Sequence, residues 1–526
     1  MISEFEVENI RLFEGPGWRL RCPRITVLCG TNSSGKSTLL KALLVLRQTQ
    51  GIGEGFESLG GELRLNGRQV DLGTYESCVS HRKSTSDMSI GMTIEDVIDD
   101  LTLRRLQLLG AGSSPDAISP SRTTKMVPYS LKALFRFGLI HDPRVRESRS
   151  NDQSPFLKAA HFELRYKGQR ILDWVLSLTP SPAGTERSEI KYRLQLPVNF
   201  FRSLGMQRID VKIKETDQYA IFETYLKGLL PQGILGRIKK DEKGRSAQAP
   251  RRQYSIWPIP HPLDGAFIDF QGALAGIHYL GPLRTAAERF YIAQSATDPG
   301  MDSAGEFLPY VLRDRRDSPV VFCAPGTAGT TTESFQRALD IWLSYIRTGQ
   351  KPSSRAAAGE ISLESTKGVL VEVGVRSPGG EAHSLVDSGF GYSQVMPILA
   401  RGLLAPNTST LIVEQPELHL NPALQARLAE FFVGLARCGK QVIIETHSEH
   451  ILNAMRVLAA ETDKPIESAI YFVDVATGRP IIHQLEIKED GTVANWPAEF
   501  FGEADELRAR LLKAQRRFLG SDHRQE

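Results

Sequence analysis

The run Gly30-Thr31-Asn32-Ser33-Ser34-Gly35-Lys36-Ser37-Thr38 constrains this chain more than any other stretch. Two glycines bracket four residues and Lys-Ser-Thr follows at once, the pattern of a loop that cradles phosphate. Its surroundings fit. Ile25-Thr26-Val27-Leu28-Cys29 is an apolar run of the kind that forms a buried strand, and Leu39, Leu40, Leu43, Leu44 and Leu46 recur behind the loop at helical spacing. In a strand, loop and helix, Gly30 and Gly35 let the backbone approach a polyphosphate, whose charge meets main-chain N–H groups and the positive end of the helix. Gly30, Asn32, Ser33, Ser34, Gly35, Lys36, Ser37 and Thr38 are therefore candidate ATP-binding residues. Lys36 would reach the outer phosphates, and Ser37 would offer its hydroxyl to the Mg²⁺ that bridges them.

A chain of 526 residues exceeds one ordinary domain, so two to three lobes are expected. The formal net charge of +3 excludes a globally basic nucleic-acid binder but leaves local basic patches open. Five scattered cysteines form no Cys-x-x-Cys pair, which argues against a zinc knuckle or a disulfide framework. The start, Met1 to Val7, lacks the basic residues and apolar core of a signal peptide, and no run is apolar enough to span a membrane. A cytoplasmic protein without membrane contact is expected.

Residues 3–29 read as strands leading to the phosphate loop, with a turn at Gly15-Pro16-Gly17, and Leu63–Gly73 suggests a hairpin and loop. Between about 110 and 270 the pattern thins, and polar stretches at 147–153 and 239–245 read as exposed loops. Arg237, Lys239, Lys240, Lys243, Arg245, Arg251 and Arg252 make the second of these basic, which leaves a solvated loop or contact with nucleic acid open. Order returns at Ile277–Arg284, a helix is expected over Phe335–Ile346, and a polar linker follows at Gly349–Gly359.

Three motifs near the C-terminus suit the other half of a nucleotide site. Asp387-Ser388-Gly389-Phe390-Gly391-Tyr392-Ser393-Gln394 is a glycine-rich turn entering an apolar helix, again suited to phosphate. Thr410-Leu411-Ile412-Val413 is a buried-strand run that delivers Glu414, Gln415 and Glu417 at its C-terminal end, where α/β sheets place their ligands. An acid there can hold Mg²⁺ while a second polar residue orients the attacking water. Asn421-Pro422 then caps a helix. Last, Gln441–Thr446 is a strand ending at His447, where an imidazole could contact the γ-phosphate or serve as a capping residue.

Together these motifs resemble the ABC-type ATPases related to the overcoming-lysogenization-defect (OLD), RecF and SMC/Rad50 proteins. Tyr279–Arg284 and the ending Asn495–Phe501 are similar to a bacterial branch of stand-alone ATPases. The resemblance covers about 1–80 and 275–505 and is poor between. It implies an α/β fold, an ABC-type (RecF/SMC-like) P-loop ATPase head with a large central insertion. Residues 1–110 would carry Walker A, 111–274 the insertion, 275–490 the signature, Walker B and switch histidine, and 491–526 a tail. Carried over by position, Glu414 is the Walker B acid and a metal ligand with Ser37. Ser388, Gly389, Gly391, Ser393 and Gln394 form the signature loop that meets ATP, and His447 is the switch histidine. ATP and Mg²⁺ are the implied cofactors, and a homodimer of heads or a higher homo-oligomer is the implied assembly.

Two departures from the family pattern stand out. Gln415 takes the place of the usual catalytic glutamate, and an amide cannot accept a proton, though it can orient water. Either Glu417 substitutes as base or hydrolysis is slow. The signature also lacks Leu-Ser-Gly-Gly-Gln, leaving open whether Ser388 or Ser393 meets the γ-phosphate. OLD-type nucleases append a Toprim domain, but roughly 70 residues follow Leu452, short of a domain of about 100, so the effector is expected to be a separate protein. The leading expectation is a dimeric ATP-gated switch controlling a nuclease or toxin in anti-phage defence. The alternative is a DNA-repair or recombination ATPase that binds DNA directly.

Overall fold

Strands buried on both faces read as unbroken apolar runs, and five of them build the central layer of this protein. The computed structural model describes residues 1–52, 60–83, 85–110, 125–139, 154–179, 191–198, 209–210, 219–238, 255–259, 261, 263–292, 303–306, 308–351, 361–366, 370–376, 382–387, 390–461, 466–488, 490–494 and 509–515. Across the central layer the strands run Ile277–Leu280, Thr410–Glu414, Gln441–Glu445, Ile25–Gly30 and Ser468–Ala476, all parallel. Arg479–Ile487 and Val493–Ala494 extend it antiparallel.

Side chains alternate across this layer, so each strand feeds two cores. Leu28, Ile412 and Ile443 join the Lys36–Thr49 helix (Leu39, Leu43) and a second sheet. Val27, Leu411, Val413, Val442 and Ile444 face the opposite core, with Trp342 and Phe431 of the Phe335–Thr348 and Pro422–Arg437 helices. Those two rings meet edge to face, 5.0 Å between centroids.

The second sheet has eleven strands among the described residues and is antiparallel throughout. From one edge it runs Trp18–Arg21, Ile2–Glu8, Met88–Asp99, Met126–Gly138, Phe156–Tyr166, Gln169–Leu178, Tyr192–Pro197, Tyr219–Thr224, Ile234–Ile238 and Ser255–Trp257, with Ile209–Asp210 pairing Ile234–Ile238 off this path. The region where the sequence pattern thins therefore widens the sheet that the N-terminal strands begin. Its buried face is aromatic: Phe162 stacks on Trp174 at 5.4 Å, and Phe267 and Phe270 of the Leu263–Ala275 helix close over them. Residues 147–153, Lys239, Lys240, Lys243, Arg245, Arg251, Arg252 and 495–501 lie outside the described residues, as does most of the 349–359 linker. Leu63–Gly73 closes a turn through Leu72 N to Leu65 O (3.1 Å) and a single bridge at Asn66 and Asp71, without forming strands.

The third body lies between Leu280 and Thr410 in sequence. It holds the Phe335–Thr348 helix, a sheet of Tyr291–Ile292, Leu370–Arg376, Ile361–Thr366 and Ala382–Ser384, and the Phe390–Leu404 helix. Helix starts follow their caps: Ser334, Asn421 and Ser448 each accept from the main-chain N–H three residues on. Asn421→Ala removes one such cap and is expected to cost about 1 kcal/mol, read as a lowered urea midpoint at unchanged slope. Among the described residues no helix is long and apolar enough to cross a membrane.

Candidate active site

Three strand ends and one loop meet at the C-terminal edge of the central layer. Gly30 ends its strand at φ 131°, and a Cβ there would sit 2.0 Å from the Val473 carbonyl oxygen of the neighbouring strand. Gly35 opens the helix at φ 99°, where a Cβ would meet the Phe13 ring at 2.8 Å. Ser33 takes φ 60° between them. The spacing of the glycines thus answers to backbone shape at both ends of the loop. No acidic residue sits in the first helical turn, so the positive helix end is left for a ligand. Asp474, at the end of the adjacent strand, accepts from Thr31 Oγ1 at 2.9 Å and pins the loop's outer side.

Lys36 is 3 % exposed and folds over its own loop. Its Nζ donates to Gly30 O (3.2 Å), Thr31 O (2.6 Å) and Ser34 Oγ (3.3 Å). Burial lowers its pKa, opposed by the nearby Glu445 carboxylate. Ser37 Oγ donates to Glu445 Oε1 at 2.8 Å.

Glu445 and Glu414 are register partners on adjacent strands, each two residues beyond an isoleucine that faces the phosphate-loop helix. Alternation puts both carboxylates on that face, about 5 Å apart along the sheet. Glu414 accepts from Tyr279 Oη at 2.9 Å, and burial followed by the Glu445 charge raises its pKa to about 7. Glu445 is 2 % exposed, and its Oε2 is buried without a hydrogen-bond donor. Two buried carboxylates beside a serine hydroxyl fit a hard divalent cation, which would remove the repulsion that raises Glu414.

Glu417 has another occupation. Its Oε1 accepts from the His447 main-chain N–H at 2.6 Å and its Oε2 from Thr446 Oγ1 at 2.8 Å, so it braces the two strand ends. Gln415 leaves its strand at φ 43°, its N–H bonded to Glu445 O at 2.7 Å. His447 lies beside the Gly30 main chain, its pKa lowered by burial and then by Lys36. Arg284 is 6 % exposed, lowered to about 10 by burial, and donates from Nη2 to Glu414 O at 3.0 Å.

The phosphate loop, Glu414, Gln415, Glu417 and His447 are thus gathered in one place, as their positions on strand ends anticipate. The glycine-rich turn is only partly placed: Ser388 and Gly389 lie outside the described residues. Gly391 sits in the first turn of the Phe390–Leu404 helix against His419 and Leu420, whereas Ser393 and Gln394 are buried. Sequence reasoning passed over the contribution of Glu445, Tyr279 and Arg284 to this cluster. A charge ending the apolar run Gln441–Ile444 was the available signal for Glu445; nothing local marks the other two.

A parallel layer with the phosphate loop on one strand and Glu414 two strands away, carrying a lobe inserted before the Glu414 strand, is the architecture of a P-loop ATPase. Residues 376–453, which take in Gly391, Glu414 and His447, match the family model described as "AAA domain, putative AbiEii toxin, Type IV TA system". Residues 464–511 match one described as a protein of unknown function, DUF3696. No curated protein matches the chain. Among solved structures it is similar to an SMC head domain from Thermotoga maritima, at 9 % identity over 92 % of this chain and 99 % of that one, TM-score 0.35. It is similar also to an SMC head bound to the C-terminal winged-helix domain of ScpA, at 11 % identity over 93 % and 98 %, TM-score 0.36. An Smc head with an extended coiled coil, bound to the C-terminal domain of ScpA from Pyrococcus furiosus, matches at 10 % over 92 % and 96 %, TM-score 0.33. ATPases of this class in general hydrolyse ATP with Mg²⁺.

Proposed function

We propose that this chain is an ATP-gated switch: two or more copies pair through their heads around ATP and Mg²⁺ and control a separate effector, a nuclease or toxin, in anti-phage defence. The observation that carries the reading is the unbroken series Lys36, Ser37, Glu445 and Glu414, which joins residues from both ends of the chain in one buried cluster. The toxin–antitoxin description of the family matched over 376–453 supports the defence setting.

In this reading Lys36 turns from its loop carbonyls to the outer phosphates, and the loop N–H groups hold the others. Ser37 and Glu414 would hold Mg²⁺, which screens phosphate charge when bound. His447, kept neutral by burial and held by Glu417 through its main chain, meets the γ-phosphate from the adjacent strand. Because both oxygens of Glu417 already accept hydrogen bonds, the slow-hydrolysis option is favoured over Glu417 as base. Gln415 orients water without taking its proton.

Two measurements on one preparation test this. Light scattering after gel filtration is expected to show a larger assembly with ATP than with ADP, and single-turnover hydrolysis is expected to be slower than about 0.1 s⁻¹, well below the usual enzymatic range. An assembly indifferent to ATP defeats the switch, and fast turnover defeats the account of Gln415.

A further inference from the structure

Glu445 is a buried carboxylate of the cluster with no role in binding or hydrolysis assigned to it above. It ends the strand lying between those of Glu414 and the phosphate loop, so it is nearer to Ser37 than Glu414 is. One oxygen holds the Ser37 hydroxyl; the other is buried with no donor. Leaving a buried carboxylate oxygen unpaired is costly unless a cation takes it up. The nearby lysines do not fill that role: Lys36 Nζ is committed to its own loop, and Lys41 acts on Glu445 and Glu414 only at a distance.

From this geometry we infer that Glu445 is a second metal-holding carboxylate, so that the divalent cation sits between Glu445 and Glu414 with the Ser37 hydroxyl. The inference rests on the ATP reading for the identity of the nucleotide, but not for the cation itself. A site with two carboxylates carries one more negative charge than a Ser37 and Glu414 pair alone. It therefore holds the cation before nucleotide arrives and does not depend on phosphate oxygens to complete the charge balance.

Glu445→Gln separates this role from a structural one, because the amide oxygen still accepts from Ser37 while the charge is gone. Mn²⁺ binding to the nucleotide-free full chain, followed by titration calorimetry, is expected to weaken at least tenfold in Glu445→Gln and similarly in Glu414→Gln. In EDTA the melting temperature of Glu445→Gln is expected to equal or exceed that of the unaltered protein, since a buried like-charge pair is relieved. The stabilisation that Mn²⁺ gives the unaltered protein is expected to disappear. Glu445→Asp, which keeps the charge, is expected to recover part of the affinity. Mn²⁺ affinity unchanged in Glu445→Gln, or no Mn²⁺ binding by the unaltered protein, overturns the inference. ATP binding measured alongside, with Mg²⁺ and in EDTA, reports on the nucleotide reading by itself: its absence under both conditions in the unaltered protein defeats that reading while leaving the cation result standing.

Discussion

Lys36→Ala is expected to weaken ATP binding at least about a hundredfold, by loss of charge-assisted bonds worth roughly 1.5–3 kcal/mol each. The amine is buried with only loop carbonyls and the Ser34 hydroxyl as partners, an arrangement that gives a cation no counter-charge within hydrogen-bond reach. Phosphate oxygens supply that charge, so the bonds made to them exceed those they replace. In the free protein the same substitution takes the ammonium donor from the Gly30 and Thr31 carbonyls, which acts on stability alone. Calorimetric titration with ATP, together with a melting curve without nucleotide, separates the two effects. Equal ATP affinity in the variant would remove the triphosphate site at its root.

Gly30→Ala is expected to be among the most damaging single methyls at the described glycines, costing roughly 3–6 kcal/mol from backbone strain and overpacking together. The positive φ is unfavourable for any residue with a Cβ, and the Cβ itself lands on the Val473 carbonyl at 2.0 Å. Neither group is free to retreat, since both belong to neighbouring strands of the central layer and Thr31 N–H bonds that same carbonyl at 3.2 Å. Denaturant unfolding read by fluorescence and by circular dichroism measures the loss. A cost below about 1 kcal/mol would mean that the two strands separate more easily than their packing indicates.

How much of this was legible in the sequence depends on how local each signal is. The phosphate loop, its strand and its helix are contiguous, and the structure places them as their spacing requires. Glu414 and His447 stand at the ends of apolar runs that only a doubly buried strand explains, and both reach the site. The sheet from Met126 to Trp257 was not read, although Val127, Tyr129, Leu131, Ala133, Phe135 and Phe137 alternate faultlessly and all are buried. Long polar stretches between the strands masked that period-two pattern. Tyr279 and Arg284 were noted only as a family resemblance; their role depends on a strand pairing with residues more than a hundred positions away, which no local pattern encodes. For Glu445 the reverse holds. The charged end of a buried strand is a local signal, and the histidine two residues on is the more conspicuous one.

The position of the Ile25–Gly30 strand, between Gln441–Glu445 and Ser468–Ala476, sets a timetable for synthesis. A nascent chain emerging from the ribosome displays its phosphate-loop strand with both edges open until Gln441–Glu445 has followed, whereas the antiparallel sheet can assemble from its own hairpins well before. Nucleotide competence therefore waits on those distant strands, and the interval before they emerge is when exposed Ile25, Val27 and Cys29 most need shelter from unwanted pairing.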